Sequence, residues 1–203
     1  MNIIEVEDHK IISDYLNEES IIIDCGACVG NFTQKLWDKY HCNFYLFEPD
    51  SRNFRQLRYR FSIYKKIRLM RIAISDIGGD RIFYTGRFET ASSLLPSHRG
   101  LDGNSIVVDC ISLNDYIDGF KYIDLIKLDT EGEEIKIIPS LNIENLKKVK
   151  QITVEYHLQS EIDGYTQEKI DICREYLKKQ FNEIEYIDKG NDGQHGLYLN
   201  KEL

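Results

Sequence analysis

Apolar residues recur along this chain with two different periods, and the switches between them lay out its elements. Residues 20–24 run through three consecutive isoleucines into an acid and a glycine, which reads as a strand buried on both faces of a parallel sheet. Over 31–40, Phe32, Leu36, Trp37 and Tyr40 fall at helical spacing. Residues 43–47 predict the next strand, 50–64 the next helix and 67–75 a third strand. Strand and helix in alternation predict an α/β architecture, with right-handed crossovers and helices on both faces of the sheet. The rhythm then breaks at about 80–110. Two strand-like runs, 81–85 and 105–110, flank a polar stretch with Gly86, Pro96, Gly100 and Gly103, so a β-hairpin excursion with a long loop is expected. Residues 123–128 resume the buried-strand pattern and 151–156 repeat it. The spacing over 166–179 is that of an amphipathic helix, and 185–187 with 196–200 suit a closing antiparallel pair. Seven core strands, mostly parallel, follow from this reading. Ahead of them, Ile11, Ile12, Tyr15 and Leu16 share one helical face, so a short leading helix is expected within 1–19 and the core over 20–200. No repeat or linker-like tract divides the chain, and 1–203 is expected to be one domain.

Composition narrows the class. With 42% hydrophobic and 30% charged residues, the 203-residue chain has the make-up of a soluble globular domain able to bury a core. Its net charge of −8 repels phosphate backbones and anionic lipid, which argues against nucleic-acid partners and membrane surfaces. The basic residues of 52–71 (Arg55, Arg58, Arg60, Lys65, Lys66 and Arg68) read as a solvated helix face, with a dock for an acidic partner as the alternative. No apolar run approaches the ~20 residues of a membrane span. Residues 1–10 have the pattern of neither a signal nor a transit peptide, so a cytoplasmic location is expected. Five cysteines in such a chain predict reduced thiols. Cys25 and Cys28 form a C-x-x-C spacing without the second pair a zinc site wants, so they read as small fillers.

Ligands of open α/β sheets bind beyond the carboxyl ends of the strands, so candidate chemistry is sought there. The first such end reads Asp24-Cys-Gly26-Ala-Cys-Val-Gly30-Asn-Phe-Thr33. Gly26 permits a sharp turn, and Gly30 is expected to let backbone approach a ligand; turn formation alone is the plainer reading of both. The second end, Phe47-Glu48-Pro49, offers a carboxylate that can accept both hydroxyls of a ribose, or else a helix-start charge. A glycine loop with such an acid suits a dinucleotide or S-adenosylmethionine. The absence of G-x-G-x-x-G, together with Asp24 ahead of the glycines, favours the cationic sulfonium ligand over a pyrophosphate. Ile74 and Ser75, ending the third strand, are placed to flank an adenine. The fourth strand delivers Asp129, Glu131, Glu133 and Glu134, and the fifth delivers Glu155 and His157 on the same side. Asp129, Glu155 and His157 thus form a candidate acid–base cluster, with His157 as the base for an acceptor alcohol. Alternatively, a divalent metal on Asp129 and Glu155 would lower the alcohol's pKa. Glu133 and Glu134 read as helix-start charges, and a plain surface position is the alternative for His157.

Ile22 to Thr33, Phe47-Glu-Pro49, Ala73-Ile-Ser-Asp76, Ala91-Ser-Ser93 and Asp124-Leu-Ile-Lys-Leu-Asp-Thr-Glu-Gly-Glu133 together resemble the FkbM family of S-adenosylmethionine-dependent methyltransferases. The resemblance implies a class I methyltransferase (Rossmann-like) fold and O-methylation of a sugar, glycan or related small-molecule hydroxyl. By position it makes Asp24, Gly26, Gly30, Thr33 and Glu48 donor-binding, and the rest of the loop (Ala27, Asn31, Phe32) is assigned with them, as are Ile74, Ser75 and Asp129. Asp129 and Glu131 become crevice acids, and Ser92 and Ser93 fall in a loop that closes over substrate. The short N-terminus leaves little room for a separate recognition domain. Two rivals remain: an NAD(P)-dependent oxidoreductase, and a catalytically inactive donor-binding partner subunit. A [DN]-P-P-[FYW] motif, the mark of amino-directed nucleic-acid methyltransferases, is replaced here by Asp129-Thr-Glu-Gly132.

Overall fold

The computed structural model describes residues 1–88, 90–96, 100–157, 165–190 and 193–203. The expected leading helix is absent among them. In its place β1 (Ile3–Val6) and β2 (His9–Ile12) pair antiparallel, followed by one 3₁₀ turn at Ser13–Tyr15. Glu7 and Asp8 form the bend with φ of 48° and 64°, the two left-handed residues of a tight hairpin turn. Over so few residues, apolar positions at the end of a strand and at a following turn mimic one helical face. The hairpin docks on the main sheet through Gln151, whose Oε1 accepts from the Ile12 amide (2.8 Å) and whose Nε2 donates to the Ile12 carbonyl (3.1 Å).

The core alternates as the sequence predicts: β3 (Ile21–Cys25), α1 (Asn31–Tyr40), β4 (Asn43–Phe47), α2 (Ser51–Phe61) and β5 (Ile67–Met70). The single strand expected over 67–75 is two. β6 (Ala73–Ser75) leaves the main sheet and pairs parallel with β8 (Leu101–Ser112), which also pairs antiparallel with β7 (Gly79–Gly86). This three-stranded sheet is the predicted excursion. The apolar pattern continues through exposed Arg71, so nothing local reports the change of partner. Then follow α3 (Leu113–Asp118), β9 (Ile123–Leu128), α4 (Glu134–Ser140), α5 (Ile143–Lys147), β10 (Val149–Tyr156), α6 (Gln167–Leu177), β11 (Phe181–Asp188) and β12 (Gln194–Asn200). The closing pair is longer than its sequence signal.

The main sheet has the order β5-β4-β3-β9-β10-β12-β11, with β12 antiparallel to both its neighbours and the other pairings parallel. It is mixed but mostly parallel. Side-chain alternation divides the core between its faces. Ile22, Phe44, Leu46 and Leu125 pack under α1 and α2 against Leu36, Leu57 and Phe61. Ile23, Cys25, Ile126 and Leu128 pack on the other face with Ile117, Ile137, Leu146 and Ile170 from α3, α4, α5 and α6. Each such burial is worth about 1.5–3 kcal/mol, so the central strands β3 and β9, covered on both faces, form a rigid base for the loops at their ends.

Candidate active site

Those loops meet at the carboxyl ends of β3, β4, β9 and β10. After β3 the chain turns on Gly26 (φ 85°), whose amide and that of Ala27 both donate to the Phe47 carbonyl at 3.1 and 2.9 Å. A Cβ on Gly26 would lie 1.8 Å from the Asp129 carbonyl oxygen, so only glycine lets this loop pass the end of β9. Gly30 (φ 85°) caps α1, and a Cβ there would meet Phe61 and Leu57 of α2 at 2.4 and 2.7 Å. Glycine at 30 thus lets α2 pack closely against the start of α1. The cysteines are free thiols. Burial and the neighbouring Glu48 push the Cys28 thiol up to about 12, which suits a filler and not a redox pair.

Between this loop, β4 and the excursion lies a cleft whose lining includes Gly26, Cys28, Pro49 and Asn53. Glu48 lines it. Its Oε2 accepts from the Cys28 amide (2.9 Å) and its Oε1 from the Asp50 amide (2.7 Å), leaving each oxygen a further lone pair. Burial, with Asp50 adding to it, lifts the Glu48 pKa to about 8 despite those two amides. Ile74, Phe47, Phe83 and Leu94 supply apolar wall, and Asp129, Thr130 and Glu131 the opposite lip. Ser92 lines the cleft as well, but its hydroxyl is engaged: Oγ donates to Asp50 Oδ2 (2.9 Å) and accepts from the Gly86 amide (2.9 Å). Ser93 is buried, with Oγ donating to the Glu131 carbonyl (2.6 Å). The two serines pin the excursion to the N-terminus of α2 and to the loop after β9.

Three residues assigned to the donor lie behind the cleft. Asp24 is fully buried; its Oδ2 accepts from Thr33 Oγ1 (2.9 Å) and its Oδ1 faces Lys127 Nζ (3.2 Å). Ser75 donates to Glu133 Oε2 (2.6 Å), within a network that includes Arg81. Ala27, Asn31 and Phe32 line a neighbouring groove, which also reaches Lys127, Asp129 and Glu155. Within the basic stretch, Arg52, Arg55 and Arg58 are exposed, while Arg60 bonds Asn31 Oδ1 (2.9 Å) and holds the loop before α1.

Lys127 is the functional residue that sequence reasoning missed. Its Nζ contacts Asp24, Asp129 Oδ2 (3.0 Å) and the Gly26 carbonyl (2.8 Å), tying the two central strand ends together. Burial alone would lower its pKa, but Asp129 and Asp24 outweigh that and raise it. The signal was a lone lysine inside the otherwise apolar strand Ile123–Leu128, a position that demands buried counter-charges.

Asp129, Glu131, Glu155 and His157 do converge, as the sequence suggests. His157 Nε2 lies 3.4 Å from Glu131 Oε2, 3.6 Å from Glu155 Oε1 and 3.8 Å from Asp129 Oδ1, while Nδ1 faces Glu134 Oε2 at 3.5 Å. Burial would lower the His157 pKa, yet Glu134, Glu131 and Asp129 reverse this and hold it well above the ordinary imidazole value. That direction favours the protonated ring, paired with the carboxylates around it. Burial and Asp129 lift Glu155 to about 8. Burial would also raise Asp129, but Lys127 and His9 hold it well below the usual carboxylate range. Glu133 and Glu134 begin α4 as expected but are buried. Glu134 accepts from the Thr130 and Gly132 amides at 2.5 and 3.0 Å, and Glu133 pairs with Arg81 at 3.2 Å. His9 of β2, unmarked in the sequence, reaches the cluster from the inner side.

Comparison with known proteins places this geometry. The sequence model described as the methyltransferase FkbM domain matches residues 24–186. No curated protein matches the chain by sequence. Among solved structures, the FkbM methyltransferase of Methylobacillus flagellatus KT superposes with a TM-score of 0.58 at 15% identity, covering 91% of this chain. The chain spans 44% of the length of that protein. A pre-rRNA processing fibrillarin of Methanococcus jannaschii gives 0.54 at 14% identity, over 98% of this chain and 82% of the other. A Streptococcus mutans protein solved in complex with SAH gives 0.55 at 12%, over 93% and 92%. At these identities the likeness is one of fold.

Proposed function

The chain belongs to the FkbM methyltransferase family, and from that premise we propose that it transfers the methyl group of S-adenosylmethionine to a hydroxyl of a sugar, glycan or related small molecule. The observation that carries this reading is the cleft itself. It sets the Glu48 carboxylate beside an apolar wall containing Ile74 and Phe83, and ends at an acidic lip formed by Asp129 and Glu131. A ribose needs the first, a flat base the second, and a cationic amino-acid and sulfonium portion the third. We read the strand order, with β12 alone reversed, as the class I methyltransferase layout.

When bound, S-adenosylmethionine supplies an electrophilic methyl group on a positively charged sulfur. Glu48 accepts the ribose hydroxyls. Asp24 acts at one remove, through Lys127, which fixes the Gly26 carbonyl and Asp129. Asp129 and Glu155 face the acceptor hydroxyl, and Glu155 in its ionised form, with a pKa of about 8, takes its proton, while His157 holds both carboxylates in place. Much of the rate gain comes from aligning that hydroxyl with the methyl. A small acceptor fits the net charge of −8, which disfavours a polyanionic one.

Titration calorimetry with S-adenosylhomocysteine, and transfer of labelled methyl to the small-molecule and glycan fractions of a cell extract, test the reading. Binding of both product and label supports it. Binding of NAD(P) without S-adenosylhomocysteine would establish the oxidoreductase instead, and donor binding without transfer to any fraction would establish an inactive partner subunit.

A further inference from the structure

Among the described residues, the convergence of Asp129, Glu131, Glu155 and two imidazoles is more than proton transfer requires. We propose that its outer side is a binding site for one first-row divalent metal ion, held by Asp129 Oδ1, Glu131 Oε2 and His157 Nε2, with Glu155 beside it. One ligand atom from each of Asp129, Glu131 and His157 lies within 4.8 Å of the other two. The distances from His157 Nε2, 3.4 Å to Glu131 and 3.8 Å to Asp129, need only a small contraction. Donors bound about 2.1 Å from one ion stand roughly 3.0–3.4 Å apart.

A buried carboxylate stands behind the histidine, at 3.5 Å and without a hydrogen bond to it. The histidine's Nδ1 faces Glu134, which is fully buried and anchored by the Thr130 and Gly132 amides, so the ring is turned with Nε2 toward the carboxylates. Glu131 takes a left-handed φ of 55°, which brings its side chain back to the ring.

A second imidazole points into the same carboxylates. His9 is 1% exposed, and its Nε2 makes no hydrogen bond, standing 3.5 Å from Asp129 Oδ2 and 3.9 Å from Glu155 Oε2. Lys127 decides which side the ion takes. Its ammonium lies 3.0 Å from Asp129 Oδ2 and would repel a cation on the inner side, leaving the Oδ1 side. Solvent reaches that side, since the side chains of Asp129 and Glu131 are 23% and 22% exposed. An imidazole with carboxylates selects Mn²⁺, Fe²⁺ or Zn²⁺ ahead of Mg²⁺ or Ca²⁺. On binding, the ion takes the place of the Nε2 proton, which leaves to solvent.

Binding is independent of the methyl-transfer reading; only the ion's use in lowering the pKa of the acceptor hydroxyl rests on that reading. The test therefore uses the full chain without donor. Mn²⁺ titrated by electron paramagnetic resonance is expected to bind at one ion per chain, and Zn²⁺ to displace it. Glu131→Gln, an isosteric change at a partly exposed side chain, and His157→Ala should each weaken Mn²⁺ binding at least tenfold. No binding of either ion up to millimolar concentration would overturn the proposal, as would full affinity in Glu131→Gln. Loss in His9→Ala with wild-type affinity in His157→Ala would overturn the assignment to the outer side. Should His157→Ala fail to fold, Glu131→Gln decides alone.

Discussion

A buried carboxylate beside a cleft is held between two demands, and Glu48 shows both. Its folded pKa of about 8 lies above its ordinary 4.5, so protonation favours the folded state. That contribution is complete below pH 4.5 and is lost as pH rises through 8. Glu48→Gln, which keeps the shape without the charge, should lose less stability than wild type between pH 5 and 9 in denaturant titrations. Parallel curves would show that Glu48 does not titrate in this range. Ribose hydroxyls prefer the ionised form, so affinity for S-adenosylhomocysteine should rise with pH toward about 8 and then level. Glu48→Ala should weaken it by an order of magnitude or more, by calorimetry, and unchanged affinity would remove Glu48 from the site. Lys127 carries the opposite charge into the core. Lys127→Met strands Asp24 and Asp129 without their cation, and the expected cost is about 3–5 kcal/mol in the same titrations. A loss below 1 kcal/mol would mean that the buried charges find other partners.

At the scale of elements, hydrophobic period reported a strand or helix wherever the element was long enough to show it. The interior of β3, α1, β4, β9 and β10 is written in runs and spacings that no other element would use. The leading hairpin is the counter-example. Its strands are four residues each, and what makes them strands is their docking partner. Both polar groups of Ile12 are bonded by the side chain of Gln151, so that glutamine acts as a missing strand edge. Gln151→Leu leaves a buried amide and carbonyl unpaired, at about 1–3 kcal/mol each. It should raise hydrogen exchange selectively at the amides of β1 and β2. Exchange unchanged there would show the hairpin to be held by its apolar contacts alone. The split of the strand expected over 67–75 has the same origin, because β6 is defined by its pairing with β8.

At the scale of the whole molecule, the cleft proposed for the donor brings together three parts of the fold: the loop after β3, the end of β4, and the excursion tied down by Ser92 and Ser93. A ligand bridging them stabilises the fold by mass action, so S-adenosylhomocysteine at 100 times its Kd should add about 2.7 kcal/mol to the free energy of unfolding. A melting temperature that does not move at that concentration would show that the folded chain does not bind it. Strand-end position and residue type single out Glu48, Gly26 and Asp129, and all three line the cleft. Asp24, Gly30 and Ser75 bear the same sequence marks, but their neighbours, Lys127 and Thr33, Leu57 and Phe61, and Glu133, could not be read from the chain, since the direction in which a side chain points is set by its surroundings.

The sequence by itself determined the alternation of strand and helix, the excursion near 80–110, and the acids at the strand ends. These depend on the period of burial and on backbone freedom, both local properties. Only the tertiary structure decided that Lys127 binds Asp24 to Asp129, that His9 arrives from a hairpin, and that His157 sits among carboxylates that raise its pKa. Those are matters of which charges share a low-dielectric space. Charges distant in the chain come together only when the sheet has closed and packed.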